Sequence, residues 1–307
     1  MSTERGRFRL DEASVRRSFE RAAATFDAAA ALHREVAARM AERLGVVRIA
    51  PSAILDAGCG TGEALGELAA RYPEAQPIGI DLARAMTSAA RARVLARPGD
   101  ERSLERVAGS RMSVPARPWL VCGDILRLPL RAGSMGLVWS NLVLQWVNEP
   151  ALAFAEFHRV LAVGGLLSFT TLGPDTLREL RSAFASADSA VHVHRFIDMH
   201  DLGDMLVDTG FADPVMDMEV LTLTYADSRS LMRELRALGA SNAAVSRSRS
   251  LMGKQRWARA VGALEKFRRD DRLPASFEVV YGHAWKPKPR RLADGREIVR
   301  FERPMRR

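Results

Sequence analysis

The chain has 307 residues, 47% hydrophobic and 27% charged, the balance of a globular protein long enough to bury a large core. No apolar stretch approaches the ~20 residues of a membrane span, the opening seven residues lack a signal-peptide core, and two distant cysteines, Cys59 and Cys122, exclude a disulfide framework; a reduced, cytoplasmic setting is expected. The net charge of +9 is unevenly placed: residues 1–245 hold 28 Lys and Arg against 30 Asp and Glu, whereas residues 246–307 hold 18 against 7, a surplus of +11 that suits an acidic partner.

Residues 1–10 are polar and are expected to be disordered. Over residues 12–44, Val15, Phe19, Ala22, Phe26, Ala29 and Leu32 recur at three- and four-residue steps, which predicts helix. An interruption is expected within 19–27, because Thr25-Phe26-Asp27 continues a helix poorly. This segment reads either as an amphipathic helix packed on a sheet or as a lid. Residues 53–55 form a short apolar strand, broken by Asp56 and by glycines at 58, 60 and 62. A helix over 63–71 follows, with Leu65 and Leu68 on one side and Glu63 and Glu67 on the other. Strand, glycine turn and helix N-terminus make a nucleotide-type cradle, although a plain tight turn would use the same residues. The spacing is not the G-x-G-x-x-G of dinucleotide binding.

Residues 77–81 form a second strand ending in Asp81, and residues 82–86 open a helix to about Leu95. An acid at this strand end can accept hydrogen bonds from both ribose hydroxyls of a nucleoside; capping the next helix is the alternative. Residues 97–118 read as a loop, 119–122 as a third strand leading to Asp124 and Ile125, and 135–140 as a fourth. Asn148, Glu149 and Pro150 predict a helix start with Asn148 as the cap, the helix stopping near Gly164 and Gly165 before a strand over 166–170. Helices are expected over 174–187 and 199–209. Strands over 215–225 and 277–285 are expected to pair antiparallel at one edge, with helices over 228–238 and 251–268 forming a cap between them. The ends of the first four strands converge on one edge of an open sheet, where ligands bind in such folds.

The run Asp56-x-Gly58-x-Gly60-x-Gly62 resembles motif I of the class I S-adenosylmethionine-dependent methyltransferases. The resemblance implies an α/β fold: a Rossmann-like open sheet, mostly parallel with an antiparallel edge strand, helices on both faces, an N-terminal lid and a helical cap insertion. The lid would span 1–45, the cofactor-binding core 46–225 and 275–286, the cap 226–274 and a basic tail 287–307. It further implies that Asp56, Gly58, Cys59, Gly60 and Gly62 hold the amino-acid end of S-adenosylmethionine, Asp81 the ribose, Asp124 the adenine amino group and Ile125 the adenine ring, with Leu82, Met86 and Asn141 completing the set. No metal is expected, and no His, Cys or Lys stands out as a dedicated base, which favours an acceptor that needs none, such as a carboxylate.

Residues 19–27, 140–146, 169–180, 194–197 and 235–242 resemble one branch more closely, the malonyl-acyl-carrier-protein O-methyltransferases of biotin synthesis. That resemblance spans about residues 15–285. It implies methylation of the free carboxylate of a malonyl thioester on acyl-carrier protein, with the carrier docking on the basic C-terminal surface of a monomer. Phe26, Gln145, Trp146 and Arg195 are then expected to contact the acceptor, Arg195 as partner of the carboxylate. Trp146 suits plain core equally well, Arg195 a structural ion pair, and Phe26 stands where the family usually has Tyr. Two related groups share parts of the pattern: an assembly factor of respiratory complex I acting on a protein arginine, and small-molecule methyltransferases of quinone synthesis. Neither a membrane nor a nucleic acid is expected as a partner; basic and aromatic residues are not interleaved as single-strand stacking requires.

Overall fold

A computed structural model describes residues 9–96, 116–248, 250 and 252–289. The expectations for residues 1–8, for 97–115 and for the tail beyond 289 lie outside these residues. The N-terminal segment folds as three helices, α1 (Glu12–Ala22), α2 (Phe26–Ala29) and α3 (Ala31–Gly45), with the break where the sequence places it. Asp11 caps α1 by accepting the Ser14 N–H at 3.1 Å. Four side chains of α3 at four-residue steps, Leu32, Val36, Met40 and Leu44, are all buried. At about 1.5–3 kcal/mol for each large apolar side chain removed from water, this stripe is enough to hold α3 on the sheet.

Alternating units follow: β1 (Ala53–Ala57), α4 (Glu63–Arg71), β2 (Gln76–Asp81), α5 (Arg84–Leu95), β3 (Trp119–Cys122), β4 (Met135–Asn141), α6 (Pro150–Val160), β5 (Leu161–Leu172), α7 (Arg178–Ala185), α8 (Met199–Asp208), β6 (Ala212–Tyr225), α9 (Ser228–Ala237), α10 (Lys254–Glu265) and β7 (Leu273–Trp285). The seven strands form one sheet in the order β3-β2-β1-β4-β5-β7-β6. Strands β1 to β5 are parallel, and β7 runs antiparallel to both β5 and β6. The antiparallel pair thus lies at the expected edge, with β7, the last strand among the described residues, inserted one place inside it.

One face of the sheet packs against α3, α7, α9 and α10 through Leu32, Met40, Leu180, Phe184, Leu231 and Leu264. The other packs against α6 and α8 through Phe154, Phe157, Leu202 and Leu206. With both faces covered, β1, β2 and β4 are apolar almost throughout.

Two local expectations are corrected. Asn148 does not cap α6, whose N-cap is Glu149 with no side-chain bond. Its amide instead pairs with the backbone of Leu10, accepting that N–H at 2.7 Å and donating to that carbonyl at 3.1 Å, and also donates to Glu12. Pro150 at the helix start removes one of the donors a cap would serve, which releases Asn148 for this tether. In addition, β5 begins at Leu161, five residues before the expected Leu166, because Gly164 at a φ of +78° lets the chain turn while its N–H pairs with the Lys286 carbonyl at 2.8 Å.

Candidate active site

The glycine turn after β1 lies at the carboxyl end of the parallel strands, beside the ends of β2 and β4. Gly58 has a φ of +83°, and a Cβ there would meet Val143 at 2.3 Å. Around Gly60 the space is open, the nearest atom to a Cβ being Phe26 Cε1 at 4.0 Å. The turn's own amides are largely used within the fold. Gly58 and Cys59 donate to the Ile80 carbonyl, Gly62 to the Cys59 carbonyl and Gly60 to an Asp81 carboxylate oxygen at 3.0 Å. The donors the cradle offers are therefore those of the first turn of α4, which no side chain caps, and not those of the glycines themselves.

Asp56 is buried, and its Oδ2 has no partner. Burial first, then the nearby Asp81 carboxylate, pushes its carboxyl from 3.8 up to about 8. Asp81 is pushed up to about 6, mainly by burial, while the N–H groups of Ala83 and Gly60 pull it down. Each Asp81 oxygen accepts one backbone N–H, at 2.8 and 3.0 Å. Asp81 does not cap α5; Glu20 of α1 does, accepting the N–H groups of Arg84 at 2.7 Å and Ala85 at 2.8 Å. Met86 is buried with Ala22 and Ala83, with Phe19 and Phe26 packed against them. Leu82 and Asp124 are exposed and Ile125 is buried; the Asp124 carboxylate accepts the Leu126 N–H. Cys59 is buried and its thiol is pushed up by burial, then by Asp56 and Asp81. Asn141 is engaged at both ends, donating to the His33 carbonyl at 3.0 Å and accepting from Thr170 Oγ1 at 2.7 Å.

The N-terminal helices are latched over the turn. Asp27 accepts the Thr61 hydroxyl at 2.6 Å and pairs with Arg93, and Thr25 Oγ1 donates to the Ala237 carbonyl at 2.9 Å. Beyond Phe26 lies a cavity of about 90 Å³. Among its lining residues are Gln145, Trp146, His33, His192, His194 and Asn242. Trp146 is clasped edge-on between Phe19 and His194, with ring centroids 5.3 and 5.2 Å away. Leu142 and Leu177, also in the lining, hold φ values of 54° and 53°, a strained region for a branched residue. Arg195 is exposed and stands outside the lining, while its neighbours His194 and Phe196 are buried in it. The three histidines were not singled out in the sequence. His194 falls in a segment that resembles a known family, but nothing in the spacing marks His33, which follows the buried Leu32 in a helix whose polar face is otherwise solvated. Burial lowers both His33 and His194 from 6.5 to about 4, so both are neutral near pH 7. Among the described residues no cluster of three or more His, Cys, Asp or Glu could hold a metal ion, and no helix is long and apolar enough to cross a membrane.

A methyltransferase domain family matches residues 55–169. A malonyl-[acyl-carrier protein] O-methyltransferase from Laribacter hongkongensis is 54% identical over 96% of this chain and 97% of its own length. The one from Gallionella capsiferriformans is 49% identical over 95% and 97%. The chain belongs to the malonyl-[acyl-carrier protein] O-methyltransferase family. Membership accounts for the glycine turn, the acid that ends β2 and the topology together, and it makes the protein a methyltransferase. Among solved structures, the YcgJ protein from Bacillus subtilis superposes with a TM-score of 0.54 at 14% identity, covering 81% of this chain and 98% of that one; at that identity it shares the fold alone. The relatives align over nearly all of both chains, so the likeness includes the N-terminal helices and the helices between β6 and β7 as well as the sheet.

Proposed function

We propose that the protein transfers the methyl group of S-adenosylmethionine to the free carboxylate of a malonyl group on acyl-carrier protein, in biotin synthesis. What carries the reading is the 54% identity, over nearly the whole of both chains, to a relative bearing that name. The cradle fits the cofactor: a buried carboxyl oxygen without a partner at Asp56 suits an ammonium, and open space above Gly60 suits the close approach of a ligand. Asp56 and the first turn of α4 would hold the amino-acid end, Asp81 the ribose, and Asp124 with Ile125 the adenine. When bound, the sulfonium supplies an electrophilic methyl group.

The chain's own task is alignment and exclusion of water. Phe26 closes the turn from above, and Trp146, fixed between Phe19 and His194, gives the acceptor cavity a rigid apolar wall. A carboxylate is ionised near neutral pH and needs no base, which agrees with His33 and His194 in the lining being too weakly basic to serve as one. The cavity is far smaller than the roughly 300–1,000 Å³ of clefts that take drug-sized molecules, and it suits a short acyl group better than a quinone ring. Carrier docking falls to the basic surface after residue 245. In the described part of it Arg247 pairs with Asp11 and Arg268 with Glu265, leaving the exposed Lys254 and Lys288 among the candidates for contact.

Mass spectrometry of malonyl-acyl-carrier protein incubated with the enzyme and S-adenosylmethionine tests the reading. A gain of one methyl group, reversed by mild ester hydrolysis, is expected. An unchanged mass would reject the carboxylate acceptor.

A further inference from the structure

The acceptor cavity presents an anion with an unusual wall. Among the described residues, no Arg or Lys lines it. Its polar side chains are nearly all committed to the fold. Gln145 donates to the Leu142 carbonyl at 2.7 Å and accepts from Thr171 Oγ1. Asn242 donates to the Val191 carbonyl and accepts the Ala244 N–H. His194 Nε2 accepts the Ala243 N–H at 2.9 Å, and His192 Nε2 is bonded to Asp188 at 2.7 Å. His33 differs: its Nδ1 is buried and has no partner. Leaving such a group unsatisfied is costly unless a ligand completes it.

Its placement is also distinctive. The His33 ring packs edge-on against Phe26 at 5.0 Å, and Phe26 is the residue over Gly60. The His33 carbonyl is held by Asn141 at the end of β4, and Asn141 is held in turn by Thr170 of β5. The backbone of His33 is thus pinned by Asn141 and its ring is packed on Phe26, which places the imidazole on the wall between the glycine turn and the acceptor cavity, the region where donor and acceptor must meet.

We propose that His33 is the residue that recognises the acceptor carboxylate, donating its Nδ1–H to one carboxylate oxygen and leaving the other to attack. The inference rests on the carboxylate-acceptor reading above and assigns the role to a neutral side chain in place of the exposed Arg195. The chemistry favours a neutral donor. A guanidinium paired with the carboxylate would draw off the charge that makes it nucleophilic, whereas one neutral hydrogen bond orients the group and leaves most of that charge in place. Burial keeps His33 neutral across the physiological range, as the role requires.

The test compares the unaltered enzyme with His33→Phe, which keeps an aromatic edge against Phe26, and His33→Asn, whose amide nitrogen falls near the position of Nδ1. Steady-state kinetics with malonyl-carrier are combined with calorimetric binding of S-adenosylmethionine and competition by acetyl-carrier, which lacks the carboxylate. His33→Phe is expected to raise KM for malonyl-carrier about tenfold or more, the scale of one lost hydrogen bond to a charged group, with cofactor affinity within about twofold. The preference for malonyl- over acetyl-carrier should collapse toward unity in His33→Phe and return in His33→Asn. An unchanged KM and preference in His33→Phe, while the unaltered enzyme methylates malonyl-carrier, would overturn the role of His33 alone. A loss confined to cofactor affinity would also overturn it. Failure of the unaltered enzyme to methylate malonyl-carrier would overturn the parent reading as well.

Discussion

Asp56, next to last in β1, carries a carboxyl group that is buried, unpartnered at one oxygen and near a second acid. Its folded-state value of about 8 exceeds its ordinary 3.8, so the folded protein holds a proton that the unfolded chain has lost. The resulting stability is complete below about pH 4 and disappears as pH rises through about 8. The melting temperature of the cofactor-free protein should therefore fall between about pH 6 and about pH 8, the upper half of that window. In Asp56→Asn the fall should largely vanish while affinity for S-adenosylmethionine drops; an undiminished pH slope in the variant would refute the assignment. A cationic ligand restores the charged form, so its binding at pH 7 should release a proton, measurable by calorimetry in buffers of different ionisation enthalpy. Asp56, the glycines and Asp81 were legible because their chemistry depends on spacing along one strand and turn. His33, His192 and His194 were not, because their shared cavity joins a lid helix to a loop about 160 residues away, and only folding brings them together.

At the scale of elements, α1 is tied to the core in part by a side chain that also finishes another structure. Glu20 supplies α5 with the cap its own sequence lacks, since Ala83 at that position has no polar side chain. Glu20→Ala should cost about 0.5–2 kcal/mol, as the loss of a helix cap does. It should also weaken S-adenosylmethionine binding, because α1 and α5 lose their link beside the cofactor site. Thermal melting and calorimetry check both effects. Glu35→Ala, which removes an exposed pair with Arg39 on α3, should do neither. Loss of stability without loss of affinity in Glu20→Ala would confine Glu20 to helix capping. Helices and strands were readable to within a few residues because their apolar periodicity is strong, as in Leu32, Val36, Met40 and Leu44. Asn148 misled because its local signature is that of a cap, while its actual partner, Leu10, lies 138 positions away. Glu20 went unnoticed for the same reason: a glutamate on a polar helix face gives no local sign of a partner 64 residues ahead.

For the whole molecule, the charge asymmetry makes a kinetic prediction. If the basic C-terminal surface steers an acidic carrier, added salt should raise KM for malonyl-carrier and leave KM for a small malonyl thioester nearly unchanged. Equal responses would separate the positive surplus from carrier recognition. The positional surplus was visible in the sequence, but which charges remain available was not, because Arg247 finds its acid, Asp11, 236 residues away and only in the folded chain. The strand order has a different consequence. β7 is made after β5 and β6, yet it sits between them and pairs with β6 over Ala212–Tyr225. On the ribosome, β5 must therefore wait with an open edge, and β6 without a neighbour, until β7 has emerged. The lid's attachment to Ala243 and Ala244 must wait as well. A message broken before codon 273 would yield a chain with its glycine turn already encoded but its sheet unclosed, a form that quality-control proteases should remove before it could sequester cofactor.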